Sequence, residues 1–325
     1  MMQAATDSSD RKNTTLNSLT PWLAVLAGFS ALPWVLGPYW LHSAIVGLFY
    51  VMMASSWNLL AGFTGQVSFA HAAFAGIGCY TSGILAAKYG LHPLLGLPLG
   101  VALAALLSLG LGALCIRMGG IYLSLTTLGF SEIVHIVIQN EYEITRGTMG
   151  LKVPFIIGPY SKATAFYIML VTAAVMVWAI HRIITSDMGL RFRAVLNDET
   201  AASSLGVSVT RVRLAAFVLS GAMAGLAGSL YGHYLMLITP HIPSLDMMFH
   251  VLAMAVIGGL GTLAGPVVGA FLLEVLGESV RHFSDKYHVL VFACIALIFA
   301  RFAPQGVVGL ISASWKRSSG KREVT

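Results

Sequence analysis

Charge is what this chain has least of. Asp, Glu, Lys and Arg make up 10% of 325 residues against 57% apolar residues, too little polar surface to cover a soluble globule of that size. It also lacks strand alternation. A β-barrel places polar residues at every second position, and a run such as Leu94 to Ile116 shows no such period. Cysteine is scarce: Cys79, Cys115 and Cys294 sit in apolar runs without metal-like spacing, which points to membrane packing rather than a disulfide or metal site. There is no G-x-x-x-x-G-K-[ST] run, and the only Gly-Lys pair, Gly320-Lys321, lies in a polar tail with no strand before it. If ATP drives this protein, hydrolysis occurs on another polypeptide. No nucleophile–base set stands out either, which leaves little room for a membrane enzyme.

What is present is a series of oily runs with charge between them, and a mean hydropathy of +0.81. A run needs about 20 helical residues to cross a hydrocarbon layer about 30 Å thick. The pattern predicts an all-α polytopic bundle of about ten spans, near 21–37, 41–61, 66–87, 93–116, 121–139, 164–184, 212–236, 246–259, 264–281 and 287–303. The eighth is short, so the range is 8–10. A polar tail (1–20) precedes this permease domain (21–303) and a basic tail (304–325) follows it. The start reads as an uncleaved signal anchor, since no small-residue cleavage site is evident. With the N-terminus inside, thirteen of the nineteen Lys and Arg residues face the cytoplasm, which satisfies the positive-inside bias and places both termini there. The net charge of +6 therefore reports orientation, not a nucleic-acid partner.

The segment 185–213 interrupts the oil with Arg191, Arg193, Asp198, Glu199, Arg211 and Arg213. Inside it, Glu199 to Gly206 reads as a short helix of small side chains, Ala201 and Ala202 among them, stopped by a left-handed glycine. Small faces let another protein come close, so docking to a cytoplasmic machine is the leading expectation.

Glycine is dense at two further places, Gly62 to His71 and Gly258 to Pro266, which follow inward-running spans in the two halves of the chain. They fit either a transport pathway of broken helices or two tight cytoplasmic turns. Gly221, Gly225, Gly228 and Gly232 form a ridge on one span, and Gly261, Gly265 and Gly269 recur at four-residue spacing; such ridges let backbones approach.

Polar candidates for the pathway are Gly65, Gln66, Ser68, His71, Thr126 and Glu132. Glu132 sits mid-span with His135 on the same face. A charge there costs about 2.5–3.5 kcal/mol, so it requires a partner or water. A buried Glu132–His135 pair is favoured over a proton relay. His71 suits a substrate carboxylate or an exposed carbonyl, and Gln66, Ser68, Thr126 and Thr127 suit broken-helix backbone groups as well as cargo. Glu274 and Glu278 read as a solvated outer helix end next to Arg281 and His282.

Three segments together, Trp57 to Ala72, Arg193 to Gly228 and Val256 to Pro266, closely resemble LivM-type permease subunits of bacterial ABC importers for branched-chain and other hydrophobic amino acids. Gly120-Ile121-Tyr122 and Thr145 to Leu151 add support, and the resemblance covers roughly residues 45 to 280. It implies a LivH-like sister permease, two cytoplasmic ATP-binding subunits carrying ATP and Mg, and a periplasmic solute-binding protein, in a bacterial inner membrane; this chain binds no cofactor and no metal. Arg193, Glu199, Ala201, Ala202 and Gly206 then match the coupling segment. The chain departs from the importer pattern Glu-Ala-Ala-x-x-x-Gly by inserting Thr200 after Glu199, while the Ala-Ala-x-x-x-Gly spacing survives. An ion-coupled secondary transporter is the rival reading, resting on Glu132 and the broken spans. A channel is the third, though nothing here resembles a selectivity filter.

Overall fold

The computed structural model describes residues 28–283 and 306–310. Its main helices are α1 (Pro38–Thr64), α2 (His71–Tyr89), α3 (Pro93–Cys115), α4 (Ile121–Asn140), α5 (Lys162–Ile184), α6 (Asp187–Asn197), α7 (Glu199–Ser204), α8 (Val209–Leu235), α9 (Leu245–Gly258) and α10 (Gly265–Phe283). Eight of the expected spans have a helix here, and α6–α7 is the charged segment. By length and composition, five helices (α1, α3, α4, α5 and α8) suit a membrane crossing, whereas α9 is a shorter apolar helix. Of the expected 21–37 span, the described residues 28–37 are helical at 28–30 and at Leu32–Val35, with a break ahead of Pro38, and 21–27 lie outside the described residues. The 287–303 span, the 1–20 tail and Cys294 lie outside the described residues, and so does most of the 304–325 tail.

Helix starts follow their sequences. Pro38 and Pro93 occupy first-turn positions, where a missing N–H costs nothing. Ser161, Ser186 and Ser244 side chains accept from first-turn amides of α5, α6 and α9. The α1 helix continues to Thr64 and Gly65 ends it with φ +73°, so the next helix begins at His71, later than the expected 66.

The centre is the packing of α2, α3 and α8. The glycine ridge on α8 does what its spacing implies: a Cβ at Gly228 would lie 2.0 Å from the Ala75 carbonyl oxygen of α2, and one at Gly225 would lie 2.5 Å from Ala104 Cβ of α3. Gly221 faces Ser108 in the same manner, and Gly258 and Gly265 close the α9–α10 turn, with a Gly258 Cβ only 1.9 Å from the Gly265 carbonyl. Around this centre α1 packs on α5, α8, α9 and α10, burying Phe49, Trp57 and Leu60. A short antiparallel pair, β1 (Leu151–Lys152) with β2 (Leu237–Ile238), ties the loop before α5 to the end of α8. Glu278, half-buried rather than solvated, accepts from the Tyr39 hydroxyl.

Candidate functional site

The two glycine segments, 196 residues apart along the chain from Gly62 to Gly258, meet in space. Asn58, in the last two turns of α1, donates from Nδ2 to the Thr262 carbonyl at 2.8 Å and accepts at Oδ1 from the Gly261 amide at 2.9 Å. Gly62 lies against the Gly261 amide, where a Cβ would come within 2.5 Å. One asparagine therefore satisfies two backbone groups of a non-helical stretch, which no helix or strand ladder would otherwise pair. Gly306 seats against Gly259 on the same loop.

The first loop, 65–70, is held from several sides. Trp57 Nε1 donates to the Ser68 carbonyl at 2.8 Å, and the Phe69 amide donates to Thr127 Oγ1 on α4 at 3.0 Å. Gln66 Nε2 donates to Thr64 Oγ1 at 2.9 Å and to the Arg213 carbonyl at 3.4 Å. The Gln66 side chain is thus occupied by the ends of α1 and α8, and Ser68 Oγ accepts from the Ala70 amide of the loop at 3.2 Å. Thr126, by contrast, bonds back to Tyr122 O of its own helix; it is Thr127 that meets the loop.

His71, the first residue of α2, is fully buried and neither ring nitrogen has a hydrogen-bond partner. The Ser56 backbone lies beside the ring, outside bonding geometry. Leaving a buried donor or acceptor unpaired costs about 1–3 kcal/mol each. His233, equally buried, is satisfied at both nitrogens, by Ser82 Oγ and the Pro154 carbonyl, each at 2.8 Å.

The expected Glu132–His135 pair is not made. Among the described residues neither a hydrogen bond nor an ion pair joins them, and His135 Nδ1 is buried without a partner. The inward stripe of α4 is Leu123, Thr127, Ser131 and Ile138; at about 100° per residue, Glu132 lies well round from Ser131, half-buried on the flank. The carboxylate therefore has no counter-charge supplied by its own helix.

The α6–α7 segment forms the second part of the site. α6 buries Gly189, Phe192 and Val195 against the bundle and leaves Arg193 exposed. Asp198 caps α7, accepting from the Thr200 and Ala201 amides at 2.8 and 3.0 Å. At the other end Val207 N–H bonds Ala202 O and Gly206 N–H bonds Ser203 O, a Schellman closure around Gly206 at φ +83°. Ala202 is buried; Ala201, Leu205 and Gly206 face outward, with Leu205 85% exposed. Glu199 pairs with Arg213 at the start of α8, which gives the displaced glutamate a role inside the chain. Sequence reasoning missed Asn58, Arg213 and His233 as organising residues; a lone Asn in an apolar run was the available signal for the first.

The family described as "Branched-chain amino acid transport system / permease component" matches residues 39–300. The chain belongs to that family. It is 28% identical, over 92% of its length and 77% of the relative's, to the high-affinity branched-chain amino acid transport system permease protein LivM of Salmonella typhimurium. To the corresponding LivH protein of Escherichia coli it is 25% identical, over 82% of this chain and 94% of that one. A probable branched-chain amino acid transport permease protein LivH of Methanocaldococcus jannaschii is 24% identical, over 82% and 90%. No solved structure matches. The permease's glycine loops and α6–α7 segment both fall inside the matched range.

Proposed function

We propose that this chain is the membrane-spanning permease subunit of an ATP-driven ABC importer, moving branched-chain or related amino acids across a bacterial inner membrane by alternating access. The chain transports and does not hydrolyse ATP. Its partners are a LivH-like sister permease, two cytoplasmic ATP-binding subunits that hold ATP and Mg, and a periplasmic solute-binding protein, and both of its termini are cytoplasmic. The observation that carries the reading is α7: a capped helix between two spans, whose Ala201, Leu205 and Gly206 the described residues leave uncovered. Small side chains permit close approach, and an exposed leucine supplies apolar area to bury.

The mechanical link is contiguous. Glu199 holds Arg213, the Arg213 carbonyl receives Gln66, and loop 65–70 continues from α1, whose Asn58 and Gly62 grip the second glycine loop. Closure of the ATP-binding subunits pushes α7, and the push reaches both loops together. Reconstitution with all partners tests the reading. L-leucine uptake is expected to require ATP and to survive collapse of ion gradients; concentrative uptake by the chain alone without nucleotide would sink it and favour ion coupling.

A further inference from the structure

We propose that His71 and the uncapped first turn of α2 bind the carboxylate of the amino acid in transit. The inference rests on the transport reading above and deepens it by assigning the cargo-recognising group.

Two independent observations meet at this point. The first is His71, fully buried with both ring nitrogens unpaired. The bundle satisfies a buried histidine elsewhere, at His233 with Ser82 and Pro154, so the unpaired ring is particular to this position and not to buried histidines in this fold. The second is the end of the helix that His71 opens. α2 runs 19 residues, its N-cap is Ala70, and no side chain caps it. The leading amides of a helix have no partner within it and carry its positive end. Ala72 and Ala73, next in line, are fully buried, so bulk solvent does not reach them.

A carboxylate is the group that fits both. It accepts from a ring N–H and from helix amides at once, and helix N-termini bind such anions without further help. The buried hydroxyl of Ser131 on α4, which packs on α2, is also unpartnered; Ser131 lies one turn beyond the Thr127 that holds Phe69. Beside the histidine stands an aromatic wall: the His71 and Phe74 rings lie 6.2 Å apart by centroid, and Phe74 and Phe130 5.8 Å. An apolar side chain suits that wall, and a zwitterion with an apolar side chain suits the whole. Full burial of His71 marks this conformation as closed to cargo.

The test uses the complete transporter with its partner subunits, purified as wild type, His71→Ala and His71→Gln. Binding of L-leucine and of L-leucinamide, which lacks the carboxylate, is measured alongside ATP-driven leucine uptake. Wild type is expected to prefer leucine. His71→Ala is expected to weaken leucine binding by about tenfold to a hundredfold, the range for a hydrogen bond to a charged group, and to leave leucinamide binding within about twofold. His71→Gln, which keeps an N–H donor, is expected to recover part of the preference and secures the answer if the alanine variant fails to assemble. An undiminished preference for leucine in both variants, or an equal loss for both ligands, overturns the assignment. Wild type without ATP-driven uptake would instead overturn the transport reading, so the two failures are distinguishable.

Discussion

Asn58→Leu removes the clamp between the two glycine loops while keeping the number and branching of side-chain heavy atoms. It deletes two hydrogen bonds, from Nδ2 to the Thr262 carbonyl and from the Gly261 amide to Oδ1. Interhelical side-chain bonds in membrane proteins average about 0.6 kcal/mol each, which sets a floor near 1 kcal/mol. Stranding both backbone groups in dry surroundings would add up to about 3 kcal/mol apiece. Gly261 is exposed and Thr262 half-buried, however, so water reaches at least one of them. The structure thus supports a loss of about 1–3 kcal/mol, at the lower end of the possible range. An SDS-unfolding titration of the purified permease reads this directly. Ser220→Ala is the control: Ser220 is equally buried but bonds only Phe217 of its own helix, and a change below about 1 kcal/mol is expected. Equal effects of the two substitutions, together with normal uptake by Asn58→Leu, would refute the idea that the loops are clamped as a unit.

Gly228→Ala places a methyl 2.0 Å from the Ala75 carbonyl, and backbone cannot yield as a flexible side chain does; a loss of about 1–3 kcal/mol, typical of overpacking, is expected in the same titration. Leu205→Glu changes an 85% exposed side chain and should leave unfolding unaltered within about 0.5 kcal/mol while abolishing ATP-dependent uptake; normal uptake would remove α7 from the coupling surface. Gly206→Trp is a poorer probe of docking, because φ +83° adds strain of about 1–2 kcal/mol to any bulky replacement. Glu199→Gln should cost no more than about 1 kcal/mol of stability, since the Glu199 side chain is 46% exposed and such pairs are weak, yet it should lower the transport achieved per ATP.

Helix identity and order were legible because apolar length and punctuation are local. Pro93, Gly65, Ser186 and Gly206 each act within a turn of their own position, so each boundary is written next to the residues it bounds. The spacing of Gly221, Gly225, Gly228 and Gly232 likewise announced a close helix contact, though nothing in it named α2 and α3 as the neighbours. Partner choice across long separations was not legible. Asn58 and Gly261 are 203 positions apart, and Glu199 meets Arg213 across a loop rather than along one helix face. The Glu132–His135 expectation failed for a related reason. Spacing places two side chains on adjoining faces, but the stripe that packs inward is decided by every other helix in the bundle, and on α4 it passes through Ser131 and leaves Glu132 on the flank.

The links from α7 to the glycine loops differ in kind, and the difference bears on what they transmit. The Glu199–Arg213 pair and the 3.4 Å bond from Gln66 to Arg213 are individually weak and contribute little to holding the bundle together. The Gly62–Gly261 contact is steric: backbone meets backbone with no room for a methyl, so one loop cannot advance toward the other without moving it. A chain of weak polar links feeding a stiff contact can be released and remade at small cost, and displacement past the stiff contact is still shared by both loops. Contiguity alone does not amount to coupling; the physical requirement is a two-state element that both ends bias. The paired loops meet that requirement only if they switch together. Asn58, which bonds the second loop from the helix that leads into the first, is the residue whose loss would let them switch apart.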